Sequence, residues 1–161
     1  MVNQKVLILN FGGQYDELIA RRVRECSVYS EVKPHTVSIQ AIKEFNPIGI
    51  IFTGGPQSVY KENSPHPDEE IFRLGIPILG ICYGCQLLAH HLGGKVVEAQ
   101  SDSSREYGKT LTYFDTTCSI FQGVKERSIT WMSHGDYMAE VPQGFSLVAK
   151  SDKCPNVAIA H

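Results

Sequence analysis

A cysteine flanked by small residues carries the strongest chemical signal in the sequence. Cys82 lies within Gly80-Ile81-Cys82-Tyr83-Gly84, between an apolar run and a segment with helical character. Glycines on either side of a nucleophile permit a sharp strand-to-helix turn that raises the side chain above the sheet. This turn also places the sulfur at a helix N-terminus, where the helix dipole favours thiolate over thiol. The pattern therefore predicts that Cys82 is a nucleophile.

A nucleophile that attacks a carbonyl group needs hydrogen-bond donors for the negative oxygen that forms. The backbone amide of Tyr83, directly after Cys82, is one predicted donor. Gly55, which follows another apolar run, is the other, because a residue without Cβ lets substrate approach the backbone closely. One such donor is typically worth about 100- to 1,000-fold in rate. A buried structural cysteine is the competing interpretation, and the nearby glycines favour the nucleophile.

Strands and helices that alternate along the first half of the sequence must position these groups. Apolar runs predict parallel strands covered on both faces, and apolar residues at helical spacing predict amphipathic helices. Ligands bind beyond the carboxyl ends of such strands, and Gly55 and Cys82 both follow predicted strand ends. The predicted strands are Lys5–Leu9, Val28–Val32, Ile48–Phe52 and Pro77–Ile81. The predicted helices are Tyr15–Cys26, Asp68–Leu74, Tyr83–Leu92 and a helix between the second and third strands that Ser38 caps.

Beyond Lys95 the pattern changes to strands joined by turns, with little helix between them. We interpret these strands as antiparallel additions to the same domain. The predicted fold class is therefore α/β, with a mostly parallel central sheet flanked by helices and antiparallel strands in the C-terminal half. The predicted C-terminal strands are Val96–Ala99, Thr110–Phe114, Ile129–Met132, Phe145–Ala149 and Val157–Ala160.

Composition and charge narrow the classes of function. Apolar (42%) and charged (20%) contents are typical of a globular domain, and a net charge of −2 argues against a nucleic-acid partner. No apolar run reaches the roughly 18 residues that cross a bilayer, and no signal-peptide cleavage pattern occurs. Among five cysteines only Cys82 and Cys85 are close in sequence, which argues against a secreted disulfide framework and against a zinc site. We therefore expect a cytoplasmic protein without membrane or metal partners.

Several motifs together resemble one known family. The stretch from Gly80 to Gln86 resembles the nucleophile signature of class I (triad) glutamine amidotransferases, and Gly54-Gly55-Pro56 is shared by the same class. Three further stretches are similar to the GMP synthase branch of that family, and the resemblance covers essentially the whole chain. These stretches are Phe11–Tyr15, Ser104–Gly108 and Trp131–Asp136.

The resemblance implies hydrolysis of L-glutamine to glutamate and ammonia through a thioester on Cys82. It implies an oxyanion hole formed by the backbones of Gly55 and Tyr83, with no cofactor in this domain. Ammonia would pass to an ATP pyrophosphatase domain, which uses ATP and Mg²⁺ to aminate XMP to GMP. The residues implied to hold the substrate glutamine are Gln86, Ser133, Gly135 and Asp136.

The sequence departs from the family pattern at the general base. The family places this base in a His-Pro-Glu motif, which the 161 residues do not contain. His66 precedes Pro67 but is followed by Asp68, and His161 corresponds to a family position upstream of the base. We therefore expect residues 1–161 to be an amidotransferase domain that stops before this motif, with little or no glutaminase turnover on its own.

Cys85 is a second departure, because the family usually has a larger apolar residue there. It creates a Cys-x-x-Cys motif with Cys82, an arrangement that thioredoxin-like proteins use for redox chemistry. A Cys-x-x-Cys redox module is therefore one alternative, and the amidotransferase domain of another biosynthetic enzyme is the other.

Overall fold

The structure is a computed structural model that describes residues 4–99 and 106–161. The chain divides into two compact units, Met1–Leu88 and Ala89–His161. Ser104 and Arg105, which belong to one of the family-like stretches, lie outside the described residues.

The first unit is built on a parallel sheet whose strands are β1 (Lys5–Asn10), β2 (Tyr29–Pro34), β3 (Gly49–Phe52) and β4 (Ile78–Gly80). Their order is β2-β1-β3-β4, and every pairing is parallel. The apolar run in β1 is buried because both faces of this strand are covered. The strand order reverses between β1 and β3, and a crevice for ligands opens at such a point beyond the carboxyl ends.

Helices α1 (Asp16–Glu25), α2 (Ile39–Phe45) and α3 (Tyr83–His91) follow β1, β2 and β4. Ala20 of α1 is fully buried against Ile8 and Ile51, and Ile19 and Val23 are partly buried beside it, so one face of the helix is apolar as expected. The expected inner stripe is only partly right, because Tyr15, Leu18 and Cys26 are exposed. The short helix predicted near Asp68 is a 3-10 helix, Glu69–Arg73, and a second 3-10 helix spans Ser119–Phe121.

The second unit is built from antiparallel strands, as the sequence predicts. In the described residues they form a four-stranded sheet of order β10-β9-β6-β7 and a two-stranded sheet of β5 and β8, so they pair with one another and do not extend the parallel sheet. The strands are β5 (Lys95–Glu98), β6 (Glu106–Phe114), β7 (Arg127–His134), β8 (Asp136–Glu140), β9 (Ser146–Ser151) and β10 (Ala158–Ala160).

Strand β8 was not predicted from the sequence. The stretch at which it begins, Ser133-His134-Gly135-Asp136, has the composition of a turn. Only Met138 of the strand is buried, so the apolar pattern is short. The chain leaves the four-stranded sheet after His134 and enters the two-stranded sheet at Asp136.

Within the two described ranges, no helix has both the length and the apolar character that a membrane crossing requires.

The cap of α2 is a local feature that the sequence identified. The Ser38 hydroxyl oxygen accepts a hydrogen bond from the Ala41 amide at 3.2 Å. Replacing Ser38 with Ala removes this acceptor and should lower the free energy of unfolding by about 1 kcal/mol. Urea denaturation measures the change, and Ser38→Thr, which keeps a hydroxyl, is the matched control. Equal losses in the two variants would contradict the capping role.

Candidate active site

The backbone at Cys82 has the geometry of the predicted nucleophile turn. Cys82 lies between β4 and α3 with φ of 52°, in the left-handed region that residues other than glycine rarely adopt. Its side chain is exposed. The strand-to-helix turn predicted from the sequence is therefore present, and the cysteine is presented rather than packed in the core.

Hydrogen bonds from the turn to the end of β3 hold this strained backbone in place. The Ile81 amide donates to the Phe52 carbonyl at 2.9 Å, and the Gly84 amide donates to the Thr53 carbonyl at 3.1 Å. On the helix side, the Gln86 amide donates to the Cys82 carbonyl at 3.0 Å. Bonds before and after Cys82 thus determine its dihedral angles, which is how proteins maintain a strained residue at a functional site.

The glycines around Cys82 are required by space. A Cβ on Gly84 would overlap the Phe52 carbonyl oxygen and lie 2.6 Å from the Phe52 Cβ. A Cβ on Gly80 would lie 2.6 Å from the Cys85 backbone nitrogen. The turn therefore needs glycine on both sides of Cys82, as the spacing predicted.

The Gly-Gly-Pro segment after β3 lies beside Cys82. A Cβ on Gly54 would lie 3.5 Å from the Cys82 Cβ and 4.0 Å from its Sγ. On Gly55 it would lie 2.6 Å from the Phe11 carbonyl oxygen and 3.4 Å from the Tyr83 ring. The structure therefore brings Gly55, Tyr83 and Cys82 into one neighbourhood. Sequence reasoning did not single out Gly54, whose place beside Cys82 depends on the pairing of β3 with β4.

The first residue of α3 is anchored by its own side chain. Tyr83 is fully buried, its ring lies 5.6 Å from that of Phe11, and its hydroxyl donates to the Pro65 carbonyl at 2.7 Å. Burial raises the pKa of the Tyr83 hydroxyl, which favours the protonated, donating form. These contacts fix the start of α3 and with it the backbone amide that follows the nucleophile.

The loop after β1 packs against the same strand end. A Cβ on Gly13 would lie 2.5 Å from the Gly54 carbonyl oxygen and 3.4 Å from Asp16 Oδ1. Asp16 is buried at the start of α1, and its Oδ1 has no hydrogen-bond partner among the described residues. Sequence reasoning missed this carboxylate, since an acidic residue in the first turn of a helix is ordinary.

The other residues implied to bind glutamine lie on α3 and where β7 meets β8. Gln86 is half-buried on the first turn of α3. In the second unit, Ser133 is exposed near the end of β7, and Asp136 opens β8 opposite Glu98. Between them, the Gly135 carbonyl accepts a hydrogen bond from the Ala99 amide at 2.8 Å. Ser133, Gly135 and Asp136 thus form one corner, where the chain changes sheets.

Comparisons with known proteins identify a family. The family model for class I glutamine amidotransferases matches residues 7–161. The GMP synthase (glutamine-hydrolyzing) of Clostridium perfringens (strain 13 / Type A) is 58% identical over 156 residues, covering 97% of the chain and 30% of that relative. The GMP synthase (glutamine-hydrolyzing) of Bacillus subtilis (strain 168) is 52% identical over 160 residues, covering 99% of the chain and 31% of that relative. The chain thus spans less than a third of the length of these curated relatives.

A solved structure shares the fold. The crystal structure of a glutamine amidotransferase from Thermotoga maritima matches with a TM-score of 0.83 at 22% sequence identity. The match covers 100% of the chain and 73% of the Thermotoga protein. At this identity the likeness establishes the architecture, an α/β fold with parallel strands first and antiparallel strands later.

The space around Gly84 yields a stability prediction. Gly84→Ala should lower the free energy of unfolding by about 3 kcal/mol or more, because its Cβ would overlap the backbone of β3. Gly49→Ala is the matched control: its Cβ would meet the Pro77 carbonyl oxygen at 3.7 Å, an ordinary contact. Chemical denaturation of both variants measures the difference. Similar stability of the two would show that the turn tolerates a side chain.

Proposed function

The chain belongs to the class I glutamine amidotransferase family, and on this premise we propose that it attacks the side-chain amide of L-glutamine with Cys82. The observation that carries the proposal is the left-handed backbone of Cys82 on an exposed strand-to-helix turn, with Gly54 beside the Cys82 side chain. A buried structural cysteine has no need of this strained conformation, which costs of order 1–3 kcal/mol.

The proposed reaction proceeds in two steps. The Cys82 thiolate attacks the side-chain carbonyl carbon of glutamine, and the negative charge moves to the carbonyl oxygen. Collapse of this intermediate breaks the carbon–nitrogen bond, and the nitrogen leaves as ammonia after taking up a proton. Water then attacks the γ-glutamyl thioester, which releases glutamate and regenerates the thiolate. The net reaction consumes one glutamine and one water.

The backbone amides of Gly55 and Tyr83 are the proposed oxyanion donors. Three observations support this assignment: Tyr83 directly follows the nucleophile, Gly55 packs against the Tyr83 ring, and the buried Tyr83 side chain anchors the start of α3. Donors that are already in place stabilise developing charge without reorganisation, which is why such a pair contributes to rate.

The proposed glutamine-binding residues match the two charged groups of a free amino acid. The α-ammonium group needs an anionic acceptor, and Asp136 is the proposed one. The side chain of Gln86 and the polar groups of Ser133 and Gly135 are the proposed partners of the remaining polar atoms. These roles follow the family motif at the matching positions of this sequence.

The wider proposal is that the ammonia serves GMP synthesis. The curated relatives are named GMP synthase (glutamine-hydrolyzing), and the chain covers about 30% of their length. We assign amination of XMP, with its ATP and Mg²⁺, to an ATP pyrophosphatase domain and not to these residues, which need no cofactor for the thioester chemistry. A cytoplasmic location is part of the proposal, because a reducing compartment keeps a nucleophilic thiol reduced.

Alkylation by a glutamine analogue tests the nucleophile. The probe 6-diazo-5-oxo-L-norleucine should modify Cys82 selectively, and excess glutamine should block the reaction. Cys82→Ala should abolish labelling, whereas Cys26→Ala, which removes another exposed cysteine, should leave it unchanged. Mass spectrometry locates the adduct. Labelling without glutamine protection, or equally at Cys85, would instead favour the Cys-x-x-Cys redox alternative.

The acidic residue of the corner has its own test. Asp136→Asn removes the proposed partner of the α-ammonium group, so about 10- to 100-fold more glutamine should be needed to protect Cys82. Asp152→Asn, an exposed position in the same unit, is the control and should leave protection unchanged. Protection is measured by titrating glutamine against a fixed amount of probe. Equal protection in the Asp136 variant and the wild type would remove Asp136 from the binding site.

A further inference from the structure

A carboxylate buried under the corner has no role in the reaction described above. Glu106 is only 2% exposed, although a charged side chain is rarely buried without partners. Its Oε1 accepts a hydrogen bond from the Ser151 hydroxyl at 2.5 Å. Its Oε2 lies 3.4 Å from His134 Nε2, within ion-pair distance, and accepts no hydrogen bond among the described residues.

The Ser151 side fixes the carboxylate in position. The Ser151 hydroxyl oxygen accepts hydrogen bonds from the Cys154 amide at 2.9 Å and from the Lys153 amide at 3.3 Å. With both amides donating to this oxygen, its own proton is directed to Glu106. The turn after β9, the serine and the carboxylate therefore form one buried hydrogen-bonded chain.

The His134 side connects this chain to the corner. Glu106 and His134 are directly opposite in the antiparallel pair of β6 and β7, and Tyr107 is opposite Ser133. His134 is the last residue of β7, so Gly135 and Asp136 follow it immediately. The Glu106–His134 contact thus acts on the point at which the chain leaves one sheet for the other.

Stability alone is a weak reason for this arrangement. Desolvation of a buried carboxylate costs about as much as a partner's attraction returns, and apolar residues often replace buried polar pairs without loss of stability. What the pair does supply is geometry, since the carboxylate is held by β9 and the imidazole by β7. The contact between Glu106 and His134 therefore defines the position of Gly135 and Asp136, which follow His134 in the chain.

We propose that Glu106 is a positioning residue for glutamine, acting through His134 on the corner formed by Ser133, Gly135 and Asp136. The inference rests on the proposed function, because that function makes this corner part of the substrate site. Glu106 itself touches neither the substrate nor Cys82 in this proposal. Its role is to keep the corner in the binding geometry.

The test replaces the charge and keeps the shape. In Glu106→Gln the amide oxygen still accepts from Ser151, but the group facing His134 is neutral. The concentration of 6-diazo-5-oxo-L-norleucine that half-saturates the inactivation rate of the chain should rise about tenfold or more, because misplacement of binding groups by even ~1 Å is costly. The limiting rate at saturation should change by less than about twofold, the pattern of lost binding without lost chemistry.

Two controls separate positioning from general damage. Iodoacetamide does not use an amino-acid pocket, so its rate of reaction with Cys82 should be the same in Glu106→Gln and the wild type. Glu140→Gln changes an exposed carboxylate of β8 and should leave both probes unaffected. An unchanged half-saturating concentration in Glu106→Gln, or an equal change with iodoacetamide, would overturn the positioning role.

A second variant covers the case in which Glu106→Gln fails to fold by circular dichroism. Ser151→Ala removes the hydrogen bond to Oε1 together with the two bonds that the hydroxyl oxygen accepts from the Lys153 and Cys154 amides. It should raise the same half-saturating concentration about threefold or more, because the carboxylate loses the group that fixes it. An unchanged value in a folded Ser151→Ala chain would then overturn the inference.

If the wild-type chain itself shows no selective alkylation of Cys82, the proposed function fails and the inference fails with it. Selective wild-type labelling with an unaffected Glu106→Gln chain refutes the positioning role alone.

Discussion

The left-handed backbone of Cys82 is the constraint on which the rest of the first unit depends. A residue with a Cβ adopts this conformation at a cost of about 1–2 kcal/mol, so other contacts must enforce it. The parallel sheet does so by placing the end of β3 beside the turn, where the Phe52 and Thr53 carbonyls accept hydrogen bonds from Ile81 and Gly84. Backbone carbonyl groups at the end of β3 thus determine the direction of the Cys82 side chain, which follows β4.

The second unit maintains its corner in a different way. Antiparallel strands bring Glu106, His134 and Ser151 from three strands to one point, where contacts of the buried Glu106 side chain join the strands in addition to their backbone hydrogen bonds. The backbone of Cys82 is thus held by main-chain hydrogen bonds, whereas the corner adjoins contacts between side chains.

Much of the fold follows from patterns that are local in sequence. The buried run of β1, the inward-facing Ile19 and Val23 of α1 and the Ser38 cap of α2 were predicted because apolar runs, helical spacing and capping chemistry each act within a few residues. Strand β8 escaped prediction because its residues are mostly half-buried and follow a turn-like stretch. Strands β6 and β7 extend beyond their predicted bounds, since alternating exposed and half-buried positions hide the ends of a strand from a search for apolar runs.

The sequence by itself determined the nucleophile candidate, the glycines that surround it and the order of parallel strands followed by antiparallel strands, because these features depend on residue type at short spacing. Tertiary structure alone decided that Gly54 lies beside Cys82, that Gly13 lies against the Gly54 carbonyl oxygen, and that Glu106 meets Ser151 across 45 positions of the chain. No short-range pattern encodes such contacts. They arise only when strand pairing and register bring distant residues together. The sequence alone therefore does not show that Ser151 is the partner of Glu106.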